Sequence, residues 1–167
     1  TLYHALLTTK YLKQKVDANS SPNTVRRIAL SSCYYMNYLT QDEMDLIEVT
    51  RLGFEEQSRH FGQFLYWIKE GNHITDNRIA KTGNGTCNAY LKDVFGFFLY
   101  MADCGYAKPL RVLSYDQITV ANAVGVRRKI RYQSFKGYLK EKDRDARAAE
   151  EPEIIKILKV CTNIRDQ

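Results

Sequence analysis

The side chains of this 167-residue chain that could serve as nucleophile, base or metal ligand are twelve tyrosines, four cysteines and three histidines. Their spacing does not assemble them. Cys33, Cys87, Cys104 and Cys161 form no Cys-x-x-Cys pair, and His4, His60 and His73 lie far from them in sequence. Zinc ligands come in closely spaced pairs, so no metal site is expected. No Gly-rich phosphate loop, Gly-x-Ser-x-Gly elbow or His-Glu-x-x-His motif occurs. The acid pairs Asp42/Glu43, Glu55/Glu56 and Glu150/Glu151 fall at helix starts or loops, where carboxylates favour the positive end of the helix dipole. A tyrosine becomes a nucleophile only in an activating surround, which a single sequence cannot show. The tyrosines therefore read as core or interface residues with a polar tip. His60 reads as a surface residue, and the cysteines as buried thiols of a reducing compartment. No catalytic residue and no cofactor is expected.

One constellation does carry chemistry. Ser21 and Pro22 open a helix whose first turns hold Asn23, Thr24, Arg26 and Arg27. Such an end offers free backbone N–H groups, a favourable dipole and two guanidinium groups, which suits a phosphate. Arg and Asn also make bidentate contacts to guanine or adenine in a major groove. The net charge of +6 is unevenly spread. Residues 42–76 carry three Lys/Arg against eight acids, whereas 116–147 carry nine against four. Clustered Arg127, Arg128, Lys129 and Arg131, close to Tyr132, Phe135 and Tyr138, favour a polyanionic partner.

Elements must position these groups. Leu2, Ala5, Leu6, Leu12 and Val16 predict a first helix over 2–16, and Asp17 to Ser20 a turn. In the helix from Ser21, Val25, Ile28, Ala29, Ser32, Met36 and Leu39 form an apolar arc. Thr24, Arg27, Ser31, Tyr34, Tyr35 and Tyr38 share the opposite, outer arc. A short helix is predicted within 41–50, and another from Phe54 to Glu70. Thr86 is the expected cap of a helix that Gly105 ends. On that helix Asn88, Lys92 and Gly96 line up away from the core. Val112 to Val120 is β-branched and extended, Gly125 to Leu139 is basic and reads as a linker or short strands, and Glu153 to Ile164 is helical. The longest nearly apolar stretch, Val94 to Ala102, is far short of a bilayer span, so no membrane partner is expected. The chain opens on Thr1 without Met and stops soon after its last helix begins, which reads as an excised piece.

The run SSPNTVRRIALSSCYYMNYL (Ser20 to Leu39) resembles the opening helix of the core-binding domain of tyrosine recombinases, the phage and transposon integrases. TCNAYLKDVFGFFLYMADCGY (Thr86 to Tyr106) resembles that domain's last main helix, and SFKGYLKEK with EIIKILKVCTNIRDQ the passage into the catalytic domain. The resemblance implies a mostly α fold: a SAM-like bundle of four to five helices over 1–110, an extended basic linker over 111–147, and the first helix of a truncated catalytic domain over 148–167. It implies a grip on double-stranded DNA as half of a clamp, with recombinase protomers as tetrameric partners of the full-length protein on paired sites. The isolated piece would be a monomer, cytoplasmic and encoded by a bacterium or a phage. The Thr-Gly-x-Arg-x-x-Glu motif that carries the family's first catalytic arginine is missing, so the segment would bind without cutting. By position, Asn23, Thr24, Arg26 and Arg27 match the DNA-facing start of the first helix, and Asn88 and Lys92 the groove-facing side of the last. The role of Arg127, Arg128, Lys129 and Arg131 rests on charge, in a 112–135 segment longer than many members have. The competing expectation is an all-helical protein-interaction module that docks through Tyr34, Tyr35 and Tyr38.

Overall fold

The computed structural model describes residues 2–74, 82–121, 127–133 and 135–141. Five α-helices form a bundle: α1 (Leu2–Asp17), α2 (Pro22–Gln41), α3 (Leu46–Arg51), α4 (Phe54–Lys69) and α5 (Asn84–Asp103). A 3-10 turn at Arg111–Leu113 follows, then an antiparallel ribbon of β1 (Tyr115–Ala121) and β2 (Arg127–Gln133), with Ile118 paired to Ile130. The expected first helix of a second domain, at 148–167, lies outside the described residues.

Local chemistry sets the helix ends. Ser21 is extended and its hydroxyl accepts the Thr24 amide at 3.2 Å, while Pro22 occupies a position with no N–H to satisfy. Asp45 and Glu48 reciprocally cap α3. α1, α2, α4 and α5 each close on a left-handed residue, Asn19, Glu43, Gly71 and Gly105. In each case the next amide reaches back five residues, as Tyr106 N–H does to Met101 O at 2.8 Å. α5 begins one turn earlier than its sequence predicts, with Gly83 rather than Thr86 before the first helical residue.

The core is aromatic. Tyr35 from α2 meets Phe61 and Phe64 from α4 and Phe98 from α5, with ring centroids 5.1–6.1 Å apart. Tyr11 joins from α1 against Phe97 at 5.5 Å, and its hydroxyl lies over Gly96, where a Cβ would stand 2.7 Å away. Gln57 ties the lower layer together. Its Nε2 donates to Val49 O of α3, and its Oε1 accepts the Arg111 and Val112 amides. Beyond residue 110 the core also takes in Val112, Leu113 and Phe135, all buried.

Several expected faces are corrected. On α1, Leu7 and Tyr11 are buried, whereas Leu2, Leu6 and Val16 are exposed. On α2, Ser31, Tyr35 and Tyr38 lie inside rather than on an outer face. His60 is not a surface residue but buried, its Nε2 3.0 Å from the Tyr35 hydroxyl. Cys87 is buried as expected, but Cys33 and Cys104 are exposed free thiols, and Cys161 lies outside the described residues.

Candidate nucleic-acid interface

Arg27 is the pivot of the site. It sits in the second turn of α2, and its Nε and Nη2 donate to the two oxygens of Asp93 on α5 at 2.9 and 3.0 Å. Ser31 Oγ lies 3.0 Å from the same carboxylate, which is 9% exposed. A bidentate pair of this kind fixes the plane of the guanidinium. The Asp93 hydrogen bond, then its charge, raises the Arg27 pKa further above its ordinary value. The Arg27 side chain nevertheless keeps 48% of its surface. It lines an open cleft of about 810 Å³ together with Gly83, Asn84, Gly85, Thr86 and Ala89 from the start of α5, and Glu141. Thus α5 opens into a space beside the cationic first turns of α2. No side chain caps the α5 N-terminus at Gly83.

The residues expected at the interface fall into three settings. Asn23 and Arg26 are exposed near the start of α2; Thr24 is half-buried, its hydroxyl 2.9 Å from that of Ser21. They share this helix end with Arg27. Asn88 and Lys92 do not form the open, groove-facing stripe that their spacing predicts. Asn88 is 2% exposed and bonded to Leu139 and Glu141, and the Lys92 amino group lies 5.4 Å over the Tyr138 ring. The third member of that stripe, Gly96, faces Tyr11. A returning segment of chain, which no local pattern announces, covers the amide end of the stripe. Arg127, Arg128, Lys129 and Arg131 all fall in β2, opposite Ala121, Val120, Thr119 and Gln117 of β1.

Sequence reasoning missed Asp93, Ser31 and Glu141. Asp93 carried a signal, since it is one of only two acids between 77 and 115 and interrupts an apolar helix. Its partner is 66 residues away, and that distance hid the pair.

A second groove, about 660 Å³, lies between α1, α2 and the start of α3. Its floor includes Met36, Leu39 and Met44, and its rim carries Glu43, Asp45 and Glu48. His4 Nε2 reaches Asp45 Oδ2 at 3.2 Å on that rim. Its acidity makes it the wrong surface for a polyanion.

The buried ionisable groups are suited to packing rather than to reaction. Burial pushes the Tyr35 hydroxyl well above its ordinary range and that of Tyr38 up to about 12. Burial also raises the Cys87 thiol. None of these is poised as an anionic nucleophile near neutral pH. Among the described residues no cluster of three or more His, Cys, Asp or Glu could hold a metal ion. No helix among them is long and apolar enough to cross a membrane.

Fold and site together define a helical bundle that carries, among the described residues, a cationic helix end at the start of α2. No family model, no curated protein and no solved structure matches the chain.

Proposed function

We propose that this chain is a DNA-binding module, the core-binding part of a site-specific tyrosine recombinase, gripping duplex DNA without cutting it. The observation that carries the reading is the meeting of α2's cationic first turns with the uncapped start of α5 around Arg27. Backbone N–H groups and dipoles at two helix starts, with the exposed Arg26 and the half-exposed Arg27 guanidinium, form an arrangement suited to phosphates. The ordered resemblance of residues 20–39 and 86–106 to the two principal helices of that domain supports the same reading. So does the all-helical bundle that carries them. Asp93 then acts as a positioning residue, holding the Arg27 fork at the cleft. Arg127, Arg128, Lys129 and Arg131 of β2 add further positive charge in sequence beyond the bundle.

Duplex DNA of random sequence, titrated at low salt by fluorescence anisotropy, tests the reading. If about six phosphates are engaged, log affinity falls with log salt at a slope of about −5. Arg26→Ala is expected to weaken binding to all sequences and to reduce that slope by about one if it holds a phosphate. Loss of discrimination at one base pair, worth about 1–3 kcal/mol, would instead assign it to a base edge. A flat salt dependence, or no binding at low salt, overturns the proposal.

The competing protein-interaction reading loses the patch on which it stood. Tyr35 and Tyr38 are buried, and Tyr34 is half-buried with its ring 4.7 Å from His73 and 5.5 Å from Tyr90.

A further inference from the structure

The stripe Asn84, Asn88, Lys92 on α5 is occupied by the chain itself. Asn88 grips the backbone of Leu139 at both polar atoms, donating to its carbonyl at 2.8 Å and accepting its amide at 2.9 Å. Asn84 donates to Lys140 O at 2.7 Å, and Asn88 Nδ2 also reaches Glu141 Oε1 at 3.0 Å. The Glu141 carboxylate stands at the first turn of α5, 3.4 Å from where a Cβ on Gly85 would lie. Asparagine amides, a lysine and a helix start thus receive carbonyl oxygens, an aromatic face and a carboxylate. These are the acceptors and the negative charge that a nucleic-acid backbone would bring.

We propose that residues 138–141 are an autoinhibitory strap, which seals the α5 side of the DNA site and is displaced when duplex DNA binds. This inference rests on the DNA-binding reading above.

The strap has a fixed end and a releasable one. Phe135 is 3% exposed, with its ring 5.3 Å from Phe95 and 5.0 Å from Tyr138, so it anchors the segment to the core. Past Gly137 the hold is mixed: Tyr138 and Leu139 are partly buried against the core, whereas Lys140 and Glu141 are exposed and tied down by hydrogen bonds from Asn84 and Asn88, each worth little net because water competes for the same groups. Peeling residues 138–141 exposes Asn84 and Asn88 at the cost of the Tyr138 and Leu139 packing, while Phe135 stays in the core. It also removes a carboxylate that repels incoming phosphate. Any ligand that binds only the released state must overcome the strap, so its apparent affinity is reduced by the closed fraction.

Two variants loosen the strap by different physics. Glu141→Gln removes its charge. Gly137→Ala leaves charge unchanged but puts a Cβ 2.6 Å from Phe135 Cζ, and the boxed-in ring forces the backbone at 137 to move. Asp103→Asn, at the far end of α5, controls for simple loss of one negative charge. With a random duplex as probe, Glu141→Gln and Gly137→Ala are both expected to tighten binding by about five- to ten-fold, at the low end of coupling between linked sites. Asp103→Asn should leave affinity unchanged. Saturating duplex should at the same time accelerate hydrogen exchange of the Leu139 amide in the wild-type chain. Tight binding with Leu139 still protected, or with Gly137→Ala no tighter than wild type, overturns the strap while leaving the DNA-binding reading intact. No binding by wild type or either variant overturns both.

Discussion

Tyr35→Ala is expected to destabilise the bundle by about 3–5 kcal/mol, the range for emptying a buried aromatic site. Domains of this kind are stable by only about 5–15 kcal/mol, so the variant loses a large share of its margin. Tyr35 is fully buried and touches rings from both α4 and α5, making it the point where three helices are pinned. Truncation leaves a cavity that phenylalanines from two rigid helices cannot readily fill. Tyr35→Phe separates the hydroxyl from the ring. It keeps the packing but deprives His60 Nε2 of its 3.0 Å partner, at a cost of about 1–3 kcal/mol for an unsatisfied buried group. Urea unfolding of the two variants beside wild type reads both quantities. If Tyr35→Ala shifts stability by less than about 1 kcal/mol, as surface substitutions do, the residue is not the pin described here.

That residue also shows where the sequence was legible and where it was not. The existence of the helices was readable, because Ser21-Pro22 and Gly105 are punctuation whose physics is local. Which face of a helix is buried depends on partners far away in sequence. Tyrosine blurs that signal, since its polar tip counts as surface while its ring carries a large apolar area. Tyr35 and Tyr38 therefore fall on the arc read as outward, and His60 reads as exposed from the phasing of its own helix, which does not reveal Tyr35 as its partner. α1 failed for a related reason: apolar residues surround it, and only contact with α2 and α5 selects Leu7 and Tyr11 over Leu2 and Leu6. At the site, the start of α2 was legible because its cap and its arginines lie within seven residues of one another. Asp93 and Glu141 were not. The Arg27–Asp93 bond spans 66 residues and the Asn88–Glu141 bond 53, and no periodicity encodes either. The early start of α5 has the same origin. Asn84 and Gly85 are poor helix formers, and the bond from Asn84 to Lys140 O helps hold that added turn.

Stability is expected to fall as pH drops from about 6.5 to about 4, and His60 is expected to be the main histidine responsible. Burial lowers its pKa from 6.5 to about 4, and the Asp42 carboxylate, 3.6 Å from Nδ1, offsets that only in part. Between these values the unfolded chain takes up a proton that the folded chain refuses. Stability therefore rises with pH across the window and is flat above it. The separation corresponds to roughly 3 kcal/mol, at 1.36 kcal/mol per unit. Burial also lowers the pKa of His73, so it contributes in the same direction. The reason for the refusal is geometric. Nε2 lies 3.0 Å from the Tyr35 hydroxyl, and rings of Tyr38 and Phe61 within 5.3 Å replace the water that would solvate an imidazolium. His60→Gln keeps a side chain able to accept from Tyr35 but removes the titration. Its urea midpoint should vary less than that of wild type between pH 4 and 6.5, with the two differing least in slope above pH 7. Parallel curves through the acid window would mean that His60 is solvated in the folded chain, and with it that Tyr35 does not seal the core between α2 and α4.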